Sequence, residues 1–241
     1  MIRTEQSIPL ETNCPDLAGT AMERARLYGL LATIFAGQPD ADLLVRLRSP
    51  DFLDLLAQSD LDIGGEFARK PVEALREELA EDYTRLFCGP GKHISPHESV
   101  QLKRGSGSLW GEETVLVKRF IETAGFDYDA DFNGIPDHVA VELEFLSRLA
   151  ENESRCWQSE NLTGAGNALE WQLEFINRHA GKWMPLFCRK IAQEDTSPFY
   201  CIFADLLRQF LAGEKAEISE RLHRAFPNEQ SNGPKTAPNR N

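Results

Sequence analysis

From residue 17 to residue 226 the apolar side chains of this sequence recur almost everywhere three and four positions apart, and no clean alternating run bounded by turn residues argues for a strand. A chain patterned in this way buries its apolar surface by packing helices against one another, so the expected fold class is all-α. With 241 residues it can bury a good core, and no stretch between 17 and 226 is long and polar enough to act as a linker. A single globular multi-helix domain is therefore expected over 17–226. Residues 1–16, polar and broken by Pro9 and Pro15, are expected to form a flexible N-terminal segment. After Pro227 the only apolar residue is one alanine, so 227–241 cannot repay the entropy of ordering and is expected to be a disordered tail.

Breakers divide the helical pattern. A first helix is read over 17–36, with Met22, Ala25, Tyr28, Gly29, Ala32, Ile34 and Phe35 on recurring turns and Gly37 and Pro39 as its stop. Short helices follow over 41–47 and 51–59. Pro71 can open a longer one to 87, whose stripe of Val72, Leu75, Leu79, Tyr83, Leu86 and Phe87 lies opposite Glu73, Glu77, Glu81 and Arg85. The pattern repeats over 109–124 until Gly125 ends it, and an acidic stretch then leads to Pro136. Over 136–157, Val139, Leu143, Leu146 and Ala150 face one way. His138, Glu142, Phe145 and Leu149 share the adjacent face, at the border of the core stripe. The last helices are read over 163–180, 183–193, 198–212 and 214–226, with Ser197 as an N-cap before Pro198.

Composition narrows the function classes. A net charge of −12 with no dense Lys/Arg cluster excludes nucleic acid as a natural partner and favours a basic peptide. No secretion signal and no apolar run of membrane-spanning length is present, so a cytoplasmic location without membrane insertion is expected. Cys14, Cys88, Cys156, Cys188 and Cys201 are scattered without a CxxC pair, which points to reduced, mostly buried thiols.

Two polar constellations stand out: Cys88-Gly-Pro-Gly-Lys-His-Ile-Ser-Pro-His-Glu-Ser99 and Pro136-Asp137-His138. Gly and Pro at that density fix an exposed, shaped loop, and Asp-His at a helix start offers charge and an imidazole to something outside. Catalytic readings fit them poorly. His93 and His97 are four apart, as are His138 and Glu142, but Ser95-Pro96 makes helical register implausible for the first pair, and paired Glu-x-x-His units are lacking. Asp127, Asp129 and Asp131 open like a calcium loop, yet Phe132 and His138 stand where Gly and Glu are needed. Gly89-Pro90-Gly91-Lys92 lacks phosphate-loop spacing, and no G-x-S-x-G elbow surrounds Ser95 or Ser99. The alternative kept open is a helical metal- or nucleotide-dependent enzyme using His97, His138 and Glu142.

Three motifs in order, Glu81-x-Tyr83-x-x-Leu86-Phe87-x-Gly89-Pro90-Gly91, Ser95-Pro96-x-Glu98-Ser99 and Pro136-Asp137-His138-Val139-x-x-Glu142-Leu143-Glu144-Phe145, resemble the TorD/DmsD family of redox-enzyme maturation chaperones. Trp183-x-Pro-x-Phe187 and Pro198-Phe199-Tyr200 continue the similarity to about Phe210. The resemblance implies an all-helical cytoplasmic chaperone without catalysis, cofactor or metal. It would bind the twin-arginine signal peptide of a molybdenum-cofactor oxidoreductase precursor and assist maturation before export, as a monomer or a homodimer. By match, Pro136, Asp137 and His138 would line the signal-binding surface, with Gly89, Pro90, Ser95, Pro96, Glu98 and Ser99 as neighbours. Physical chemistry points the same way, since a twin-arginine leader needs carboxylates beside an apolar groove. Asp137, Glu142, Glu144 and the acids between 127 and 131 could supply the first, and Leu86, Phe87, Trp110 and Phe145 the second. On this reading Asp137→Ala would weaken leader binding with little effect on melting.

Overall fold

Pro15 sits in the first turn of helix α1 (Cys14–Ala36), where its missing N–H costs nothing, so the helix starts three residues before the expected Leu17 and Cys14 is buried. The computed structural model describes residues 13–58, 61, 63–89, 93–102, 109–128, 134–194 and 197–226; the expected flexible stretch up to residue 12 and the expected tail 227–241 lie outside them. Among the described residues there are eleven α-helices and no strand. α2 (Ala41–Leu47) and α3 (Pro50–Gln58) match the expected short helices, and the side chain of Asp40 caps α2 by accepting the Leu43 N–H at 2.7 Å.

The expected helix over 71–87 is two pieces. α5 (Val72–Tyr83) gives way to a wider π-helical turn (Thr84–Cys88), which points both Leu86 and Phe87 inward at 4% and 5% exposure. Two short helices lacked a periodic signal. α4 (Gly65–Arg69) is held by Phe67 stacked on Phe199 at 5.8 Å, and α6 (Glu98–Leu102) follows the first polar loop. α7 (Glu112–Thr123) ends at Gly125, whose φ of 85° is the left-handed conformation that glycine adopts without strain. α8 (Val139–Gln158), α9 (Leu162–Arg178) and α10 (Ala180–Glu194) follow, the last with Pro185 inside it. Residues 198–225, expected as two helices, form one, α11 (Pro198–Ala225). The penalty of Gly213 in mid-helix, about 1 kcal/mol, is small beside the burial of Leu211, Glu214 and Ile218 on either side.

α8 is the central helix. It lies along α1 and also packs on α9 and α10, while α10 lies along α11. Ala18, Ala21 and Ala25 let α1 approach closely, and Ser147 and Ser154 of α8 donate to the Ala25 and Ala18 carbonyls at 2.8 Å each. The border face expected for α8 is core: Glu142 and Leu149 are 0% exposed and Phe145 4%. A second buried cluster crosses the bundle. Arg24 donates to both oxygens of Glu214, to Glu153 at 2.7 Å and to Gln172 at 2.6 Å, and Tyr28 donates to Glu214 at 2.8 Å. The cysteines are free; Cys14 and Cys188 are buried, Cys156 and Cys201 half-buried and Cys88 exposed, so burial is less general than expected.

Candidate functional site

The two polar constellations, 38 residues apart at Ser99 and Asp137, are one structural unit. Val139 N–H donates to the Pro96 carbonyl at 2.8 Å and Glu98 N–H to the Asp137 carbonyl at 3.0 Å, so His97 and His138 face each other as an isolated antiparallel bridge. Their rings meet edge to face with centroids 4.9 Å apart. His138 fills the N-cap of α8, its Nδ1 accepting the Ala140 N–H at 3.2 Å. Burial, then the neighbouring His97, pushes the His138 pKa down to about 4. The His97 pKa is lowered too, by burial, against the pull of Asp137.

Asp137 does not face outward. It is 0% exposed, and its carboxylate accepts the Ser99 N–H at 2.8 Å and the Thr114 hydroxyl at 3.0 Å, tying α6 and α7 to the start of α8. The sequence expectation of an outward acid fails because three helices close over that turn. Glu98, 1% exposed, stands 2.9 Å from His179 Nδ1, and Glu142 accepts the Trp183 indole N–H at 3.1 Å. Burial raises the pKa of Glu142 well above the ordinary carboxyl value, and the adjacent Glu98 adds to the rise. Glu98 is raised by burial, with the bond to His179 opposing. Two groups here are buried without a hydrogen-bond partner, Ser99 Oγ and Glu113 Oε2.

The other expected site residues are placed unevenly. Pro96 is buried, Ser95 and Gly89 are half-buried, Pro136 is buried, and Pro90 lies outside the described residues, as do Asp129 and Asp131. Phe87 belongs to the core, with Tyr83, Phe187 and Tyr200 rings around it at 5.0, 5.8 and 5.5 Å. Leu86 and Phe145 are core as well, whereas Trp110 is 64% exposed with a φ of 65°. Of the proposed enzyme trio, His97 and His138 meet, but His138 Nδ1 is engaged by Ala140 and Glu142 by Trp183, and no group of three or more His, Cys, Asp or Glu among the described residues is arranged to hold a metal. Sequence reading missed Thr114 and His179, which reach Asp137 and Glu98 from distant parts of the chain and carry no local signal, and it noted Trp183 only as part of a motif, not as the partner of Glu142.

On the outside of this unit lies a cavity of about 120 Å³, between α7, residues 126–128 and α8. Asp127, Glu144 and Arg148 line it together with aromatic side chains.

Fold and site together define an all-helical protein whose central acids are engaged by neighbouring helices and whose polar loop and helix start are joined through the backbone. A family model described as nitrate reductase delta subunit matches residues 53–189. The chain belongs to that family, that of the TorD/DmsD-type redox-enzyme maturation proteins. The chaperone protein TorD of Shewanella piezotolerans is 29% identical over 199 residues, covering 76% of this chain and 86% of the relative. That of Vibrio cholerae serotype O1 is 26% identical over 209 residues, covering 82% and 93%. Both relatives are named chaperones, a non-enzymatic role. A solved structure described as a redox enzyme maturation protein from Archaeoglobus fulgidus covers 87% of this chain and 99% of its own, at a TM-score of 0.47 and 23% identity.

Proposed function

We propose that this protein is a cytoplasmic maturation chaperone that binds the twin-arginine signal peptide of a molybdenum-cofactor oxidoreductase and keeps the precursor from export until its cofactor is in place. Family membership over more than half the chain carries the reading. No described helix is long and apolar enough to cross a membrane. The acidic balance suits a leader whose arginines must be held by carboxylates. In this reading Ser95, His97 and His138, half-buried at the seam, lie nearest the leader. Pro96, Glu98, Ser99, Pro136, Asp137 and Glu142 form the frame beneath, and Phe87 and Gly89 fix where the loop leaves the core.

The test is a pull-down from cells grown anaerobically, with mass spectrometry of the captured proteins. The expected result is a molybdoenzyme precursor with its leader uncleaved, and loss of that capture when the two leader arginines are replaced by lysines, since a point charge does not reproduce the planar guanidinium fork. Equal capture of both leaders would reduce the protein to an unspecific acidic adaptor.

A further inference from the structure

The cavity outside the α7–α8 seam has the chemistry of a guanidinium receptor. Phe126 and Phe145 stand edge to face at 5.3 Å within it, and the half-buried Tyr128 lies beside them. Its rim carries Asp127 and Glu144, both exposed. A planar cation with a short apolar stem fits such a place, because the rings attract its face while the carboxylates take its N–H groups. An ammonium group is more strongly hydrated and gains less there.

The cavity already meets one guanidinium, that of Arg148. Its Nε and Nη2 donate to Glu144 at 3.1 and 2.7 Å, and both bonds fall on the same oxygen, Oε1. The pair is therefore short of the two-oxygen fork that makes such contacts strongest. Both side chains are more than half exposed, at 56% and 57%, so the contact is a surface pair of small worth that solvent screens. Such a pair holds the carboxylate in place and yields to a better-fitted competitor.

Resting on the proposal that the partner is a twin-arginine leader, we infer that one leader arginine enters this cavity and takes Glu144 over from Arg148, which acts as an internal stand-in until the partner arrives. Val141 and Phe145 of α8 and Ile121 of α7 complete its lining, whereas Asp137 and Glu142 are buried and take no part in it.

The full-length protein is titrated with fluorescein-labelled Arg-Arg-Gly-Phe-Leu-amide and its lysine counterpart, followed by anisotropy, for the wild type, Glu144→Gln and Arg148→Ala. Both substituted side chains are at the surface, and circular dichroism checks the fold. The arginine peptide is expected to bind the wild type more tightly than the lysine peptide. Glu144→Gln should lose about tenfold or more, the scale of a hydrogen bond to a charged group, and Arg148→Ala should bind more tightly than the wild type. Unchanged binding in both variants overturns the cavity while leader recognition stands. Weaker binding by Arg148→Ala overturns its role as the displaced cation. Capture of the precursor by the protein, with no binding of the pentapeptide, also overturns the cavity. Failure of both precursor capture and peptide binding overturns the proposed function, and this inference with it.

Discussion

Two hydrogen bonds define the task of the Asp137 carboxylate: the Ser99 N–H donates to one oxygen and the Thr114 hydroxyl to the other, all within the protein interior. Asp137→Ala would strand both donors, at about 1–3 kcal/mol for each buried group left unsatisfied. A loss of about 2–4 kcal/mol in urea unfolding is therefore expected, in contrast to the little change in melting that the sequence alone suggested. Asp137→Asn keeps one acceptor oxygen and should fall between. The titratable neighbours act in opposite directions with pH. His138, held near 4 against its ordinary 6.5, stays neutral in the folded protein while the unfolded chain takes up a proton, so its share of stability is lost as pH falls from about 6.5 to 4. Glu98 and Glu142, raised above 4.5, keep their protons longer when folded, so their contribution is present at low pH and lost as pH rises through the raised values. Melting temperatures measured from pH 4 to 9 should show Glu142→Gln losing less than the wild type toward alkaline pH. Gln still accepts the Trp183 N–H but cannot ionise. His138→Asn, which can still cap α8, should lose less toward acid.

Helix α11 shows how an element outlasts a local breaker. Gly213 stands in mid-helix, where a methyl group would meet only the far end of the Glu217 side chain at 4.0 Å. Gly213→Ala is expected to stabilise the protein by about 0.5–1 kcal/mol, because it restricts the unfolded chain and strains nothing in the folded one. A rise of the thermal midpoint checks this; a fall would mean that the helix is not continuous there. The π-helical turn after α5 and the short helices α4 and α6 are the reverse case, elements formed where local periodicity is weak. Thr84–Cys88 widens so that Leu86 and Phe87 both reach the aromatic cluster, and the Ile94 N–H closes onto the Leu86 carbonyl at 2.7 Å. α6 begins where Asp137, from another part of the chain, accepts the Ser99 N–H. Periodicity carries a helix through Leu86 and Phe87, but it announces neither the wider turn there nor the start of α6.

Across the whole molecule, one arginine joins four helices. Arg24 of α1 bonds Glu153 of α8, Gln172 of α9 and Glu214 of α11. Burial works against its charge, but Glu153 and Glu214 outweigh it, so the guanidinium stays charged. Arg24→Ala would leave the buried Glu214 without its cation and Glu153 with only Arg221 at 3.9 Å, and should cost about 3–5 kcal/mol, or prevent folding, in denaturant titration. No spacing rule pointed to Arg24, since its partners lie 129 to 190 residues away. The fold class, most helix boundaries, the stop at Gly125 and the three motifs that carry the family are all legible in the sequence. Each of these is written in residues within a few turns of one another, where periodicity and breakers act. Tertiary packing alone turned Asp137, Glu98 and Glu142 inward, buried α8 on more than one face, and left Asp127 and Glu144 exposed. A helical pattern shows which face is apolar, whereas the number of neighbours that close over a helix depends on where distant segments pack.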